Sequence, residues 1–174
     1  IDPAALLREH REARGRGETV IGHYHSHPNG SLEPSKTDAA RAIEDGQLWL
    51  IAGAKGGDVQ QIILHGSVGA GKNIEQFPQA NFGRMRSTLA AKGRAEQRLI
   101  DSGIGYTIIR NGILLSADLP PTRTARLSTD QRLMRKVTRA DLGLLTVKCV
   151  GNPDYMNGIW HAVDDSLDVP PQYR

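Results

Sequence analysis

Cysteine is almost missing from this sequence: Cys149 is the only one in 174 residues. A single thiol excludes an internal disulfide framework and suits a reducing compartment, which points to the cytoplasm. Aromatic residues are scarce as well, at 5% of the chain, which leaves little to stack on the bases of a nucleic acid. No apolar run approaches the ~20 residues of a membrane span, and no charged-then-apolar leader opens the chain. No internal repeat is visible. The first residue is Ile1 rather than Met, which reads as a fragment or a processed product.

What is present is an ordinary globular composition, 39% apolar and 24% charged, long enough for one good core or two small ones. The net charge of +3 hides an asymmetry. Residues 84–140 carry twelve Lys/Arg against four Asp/Glu, whereas residues 1–64 carry seven against nine. A basic segment can meet nucleic acid or a phosphorylated cofactor. Without interleaved aromatics, a solvated helix face is the better reading, and nucleic acid is not expected.

Asp2-Pro3 has the form of an N-cap followed by Pro at the first helical position, leading a helix through AALLREHREA. ETVIGHYHSH, QLWLIAG, QQIILHG, YTIIRNG and GIWHAVD read as strands. Helices are expected over KTDAARAIED after Ser35, over RMRSTLAAKGRAEQRLID, and over TRADLGLLTVKCV capped by Thr138. Strands alternating with helices give an α/β fold. The loop AKGGD is the expected seam between two units, residues 1–56 and 57–174.

Within GHYHSHPNGSLEPSKTD, His23, His25 and His27 alternate along a strand and so share one face. Two neutral imidazoles at that spacing can reach one zinc ion, and Asp38 could add an oxygen, leaving a fourth position open for water. The plain alternative is equally local, because Ser35-x-x-Asp38 is a capping box and a histidine on a strand is usually half-buried packing. The whole pattern, His25-x-His27, seven residues, then Ser35-x-x-Asp38, resembles the JAMM (MPN+) metalloproteases. The resemblance implies that His25, His27 and Asp38 ligate Zn2+ and that Ser35 hydrogen-bonds the tetrahedral oxyanion. It also implies hydrolysis of isopeptide or peptide bonds beside ubiquitin-like partners, with His23 outside the ligand set. The family's general-base glutamate has no counterpart in reach. Glu18 lies seven residues before His25, about 23 Å along an extended strand, and Glu9 and Glu12 fall on the first helix. Weak or absent activity is therefore expected of a metallopeptidase cut short at its N-terminus.

In the second half, GSVGAGKN spaces Gly66, Gly71 and Lys72 as a phosphate-binding loop does, but Asn73 stands where Ser or Thr is required. On the long helix, Met85, Leu89, Leu99 and Ile100 form one apolar stripe with Lys92 and Glu96 in its middle. Such a lysine either snorkels, pairs with its i+4 glutamate, or works at a pocket. AKGRAEQRLIDSGIGYTIIRNGILL, with Gly66-Ser67 before it and TRADLGLL after it, resembles the second half of an atypical short-chain dehydrogenase/reductase. The resemblance puts Ser67 at the catalytic serine, Lys92 at the lysine that holds the nicotinamide ribose, and Arg110 at the end of the following strand. Thr88 stands where the family's tyrosine is expected, and Asn111 replaces its usual proline. No Gly-x-Gly-x-x-Gly fingerprint occurs. The expectation is a partial JAMM-like unit followed by a partial Rossmann-like unit, with zinc as the principal cofactor. NAD(P) binding is the weaker alternative, and exposed sheet edges leave room for a homo-oligomer.

Overall fold

The computed structural model describes residues 3–16, 22–26, 48–55, 58–116 and 118–168. Helix α1 (Pro3–Gly15) comes first, with Ala13 buried. Strands β1 (Gly22–Ser26), β2 (Leu48–Lys55) and β3 (Asp58–Ser67) follow. Helix α2 (Arg86–Asp101) leads into β4 (Tyr106–Asn111), and two short strands, β5 (Ile113–Leu114) and β6 (Arg126–Ser128), come next. β7 (Lys136–Val137), helix α3 (Arg139–Cys149) and β8 (Gly158–Val163) complete the set. The fold is α/β, as expected.

Six strands form one sheet in the order β1-β2-β3-β4-β8-β6, and β5 pairs with β7 separately. β3, β4 and β8 run parallel, the arrangement that βαβ crossovers through α2 and α3 impose. β2 and β3 instead pair antiparallel across residues 56–57, which lie outside the described set together with the expected unit boundary. β1 runs parallel to β2, so both are reversed relative to β3.

Side-chain alternation sorts the core onto the two faces of this sheet. Leu64 and Ile108 pack with Leu99 of α2 on one face. Ile63, Ile109 and Ala162 pack with Leu142, Leu145 and Cys149 of α3 on the other. Each fully buried Leu or Ile contributes roughly 1.5–3 kcal/mol, so these two clusters fix how both helices sit. Gln61 ties β3 to β4 and to the end of α3: its Nε2 donates to Thr107 Oγ1 (2.9 Å) and to the Cys149 carbonyl (3.1 Å), while its Oε1 accepts from Gly151 N (2.8 Å).

The N-cap expected at Thr138 is present, its hydroxyl accepting from Asp141 N at 2.9 Å. Asp141 is itself buried and accepts the backbone N–H groups of Thr122 (2.8 Å) and Arg123 (2.9 Å). The Thr122 hydroxyl also approaches Asp164 Oδ2, and Thr124 Oγ1 donates to Asp164 Oδ1 at 2.9 Å. Two buried carboxylates thus fasten residues 122–124 to the start of α3 and the end of β8. Burial pushes both carboxyls up, yet the hydrogen bonds they accept outweigh it and hold them below the usual range.

Candidate functional site

In an open parallel sheet, ligands bind beyond the carboxyl ends of the strands. Ser67 ends β3 and Arg110 lies one residue before the end of β4, paired in register with Gly66. Helix α2 returns antiparallel to both strands, so its middle turns pass this same end. There Lys92 Nζ donates to Ser67 Oγ at 2.6 Å, with both side chains buried. Burial pushes the Lys92 ammonium below its ordinary pKa, and the nearby Glu96 carboxylate opposes the shift. Ser67 is the one hydrogen-bond acceptor Lys92 has among the described residues, although an ammonium carries three donors.

His65, on β3 two residues before Ser67, belongs to the same neighbourhood. Its Nε2 lies 2.8 Å from Thr146 Oγ1, whose own proton goes to the Leu142 carbonyl at 2.7 Å. The ring therefore donates from Nε2. Burial, helped by the Lys92 charge, pushes its pKa down to about 4, so the imidazole is neutral.

Arg110 makes a buried bidentate pair with Glu96, Nη2 to Oε2 at 2.7 Å and Nε to Oε1 at 3.2 Å. Its Nη1 donates to Gln131 Oε1 at 2.9 Å, and Gln131 Nε2 donates on to the Ile159 carbonyl at 3.0 Å. Gly66 makes room for this pair, because a Cβ at that position would displace Glu96 Oε1 from Arg110. The Glu96–Arg110–Gln131 chain lies in the wall of a cleft of about 1070 Å3, which Ser67 and Lys92 do not line.

Of the residues singled out in the sequence, Ser67, Lys92 and Arg110 are brought to one end of the sheet. His25 is not. Through Ile51 it is level with Ile63 on β3, four residues short of Ser67 and two strands away, about 13 Å along the strand and 10 Å across it. His27, Ser35 and Asp38 lie outside the described residues. Met85, expected on the buried stripe, is 49% exposed, while Leu89, Lys92, Glu96 and Leu99 are buried.

Asn73 was not legible as a site residue. It is buried in a 3-10 turn (Gly71–Gln76), where its Oδ1 accepts from Gly69 N at 2.7 Å and its Nδ2 donates to the Gln131 carbonyl at 2.9 Å. The residue that disqualifies a phosphate-binding loop holds the glycine loop against Gln131 instead. Its position four residues after Gly69 was the available signal, since Asn side chains commonly bond backbone close in sequence.

Comparison with known proteins agrees with this geometry. A family model described as NAD(P)H-binding matches residues 28–153. An uncharacterised chloroplastic protein of Arabidopsis thaliana is 39% identical over 109 residues, covering 60% of this chain and 32% of that protein. The chain thus spans about a third of that relative's length. The solved structure of Escherichia coli O157:H7 ChuY, described as an anaerobillin reductase, superposes with a TM-score of 0.60 at 18% identity, over 94% of this chain and 93% of that one. A protein assigned as an NAD-dependent epimerase/dehydratase from Bacillus halodurans gives 0.50 at 26% identity, over 62% and 47%.

These findings overturn the metallopeptidase expectation. The NAD(P)H-binding match begins at residue 28, just after His25 and His27, and runs through Ser35 and Asp38, so part of the motif that carried the hydrolase reading lies within a nucleotide-binding family's span. Among the described residues no cluster of three or more His, Cys, Asp or Glu could hold a metal. Zn2+ as the principal cofactor is therefore withdrawn together with the metallopeptidase reading; His27, Ser35 and Asp38 lie outside the described residues, so no geometry bears on the roles expected of them. Each half of that motif has a commoner local cause, strand alternation for the histidines and capping for Ser-x-x-Asp. The low rank given to NAD(P) is corrected too, since a missing glycine fingerprint said nothing about the buried lysine–serine pair. The match over residues 28–153 is decisive: the chain belongs to the NAD(P)H-binding family.

Proposed function

We propose that the chain is the nicotinamide-side part of an NAD(P)H-dependent reductase, with Lys92 and Ser67 at the reacting end of the cofactor. The observation that carries this reading is the buried 2.6 Å hydrogen bond from Lys92 Nζ to Ser67 Oγ at the carboxyl end of β3. The donor set fits the group. A lysine with spare N–H donors suits the vicinal hydroxyls of a ribose, and the serine it grips keeps its own proton free to donate. The fold shared with a protein described as a reductase supports the same class.

Bound NAD(P)H would supply a hydride. The chain's own residues hold and orient: Lys92 would fix the ribose, and Ser67, gripped by Lys92, would donate a hydrogen bond to the substrate atom that becomes negative. Thr88, half-buried one turn before Lys92, offers no phenol. A simple ketone reduced to an alkoxide needs a strong proton donor at once, whereas a quinone reduced to a phenolate does not. Quinone-like acceptors therefore suit this site better than simple ketones.

Titration of NADPH fluorescence tests the reading. Saturation in the micromolar range is expected, with Lys92→Gln weakening it at least tenfold. NADPH oxidation should be faster with menadione than with acetophenone. Absence of saturable binding up to millimolar NADPH would sink the proposal.

A further inference from the structure

The cleft of about 1070 Å3 runs along the flank of α2 turned away from Lys92. One wall is a single helical stripe, Arg86, Ala90, Arg94 and Gln97. The other is the glycine loop with Lys72, and Ile159 and the Glu96–Arg110–Gln131 chain line the cleft as well. Its volume is that of a drug-sized ligand site.

The charges in its wall do not balance. Four cations, Lys72, Arg86, Arg94 and Arg110, face one anion, Glu96. Glu96 is already held by Arg110 at 2.7 Å, so that pair contributes no net charge. Lys72, Arg86 and Arg94 are exposed and form no ion pair among the described residues. The cleft is also built rather than incidental. Gly93 of α2 lies against Gly71, where a Cβ would run into backbone, and Asn73 pins the loop from inside. A preformed hollow whose lining includes Ile74, Leu89, Ile100 and Ile159, with three uncompensated exposed cations, selects an amphipathic anion.

We infer that this cleft is a second ligand site, separate from the Ser67–Lys92 pair, for an organic anion with an apolar body. The inference does not rest on the reductase reading, because neither Ser67 nor Lys92 lines the cleft.

The probe is bis-anilinonaphthalene disulfonate, a dianionic amphiphile whose fluorescence rises on binding, with neutral Nile red as control. In the full chain, Arg86→Gln with Arg94→Gln should weaken the disulfonate about tenfold and leave Nile red unchanged. That is about threefold per exposed charge. Lys72→Gln alone should cost about threefold, and 1 M salt should erase most of the difference. These side chains are exposed, so the melting temperature of each variant should match the parent and separate lost binding from lost fold. Equal disulfonate affinity in parent and double variant would overturn the inference. So would competitive displacement of the dye by NADPH, which would mean that the cations serve the cofactor's phosphates. Failure of NADPH to bind at all would sink the reductase reading and leave this one standing.

Discussion

His65 carries a proton balance that the fold enforces. Its folded pKa is about 4, against ~6.5 for an unperturbed imidazole. Between those values the unfolded chain takes up a proton that the folded chain refuses, so stability is complete above pH 6.5 and is lost as pH falls toward 4. His161, also pushed down by burial, acts in the same direction. Asp141 and Asp164 are held below the carboxylate range and stay ionised through this window. Melting temperature should therefore drop between pH 7 and pH 5, and His65→Asn should flatten part of that slope. Parallel curves for the two proteins would exclude His65 as the cause. The Glu96–Arg110 pair is a second residue-scale test. Arg110→Met leaves a buried carboxylate without its partner and should cost about 3–5 kcal/mol in urea unfolding. Adding Glu96→Leu should recover much of that loss, since both charges are then gone.

At the scale of elements, the glycine loop and α2 form one unit because two glycines touch. Gly71 has φ of +54°, which an L side chain rarely adopts, and Gly93 leaves no room for a Cβ against it. Gly93→Ala would raise helix propensity by about 1 kcal/mol, yet it should destabilise by about 1–3 kcal/mol because backbone cannot yield as a side-chain tip does. A rise in stability would show that the loop is not seated as described. Long elements were legible in the sequence for plain reasons: α2 has enough turns to show a period, and β3 and β4 each carry an apolar run, Ile62-Ile63-Leu64 and Ile108-Ile109, as strands covered on both faces do. β5, β6 and β7, of two or three residues each, are too short to show any period. Strand direction was not legible either, so nothing in QLWLIAG marks β2 as reversed. At the site, Lys92 and Glu96 stood out because charge on an apolar stripe is costly unless compensated. Their partners Ser67 and Arg110 came from family resemblance, and Gln131 from nowhere in the pattern, because it reaches Arg110 only through tertiary folding.

For the molecule as a whole, order in sequence and order in space disagree at one place. β8 is the last described strand, yet it lies inside the sheet between β4 and β6. Gln61 likewise waits for partners 88 and 90 residues downstream. A chain ending at residue 150 would leave β4 an open apolar edge, and should be insoluble or aggregate on expression while the full chain is recovered folded. Soluble, cooperatively melting protein from that truncation would show that β8 is dispensable. The same feature sets a schedule on the ribosome. Translation proceeds at about 5–20 residues per second, so roughly 3–10 seconds separate the synthesis of β4 from that of β8. Through that interval the nascent chain carries a half-sheet whose flank is open to any neighbouring strand. Codon choice and chaperone occupancy over residues 112–157 should therefore govern yield more than any substitution at the Ser67–Lys92 pair.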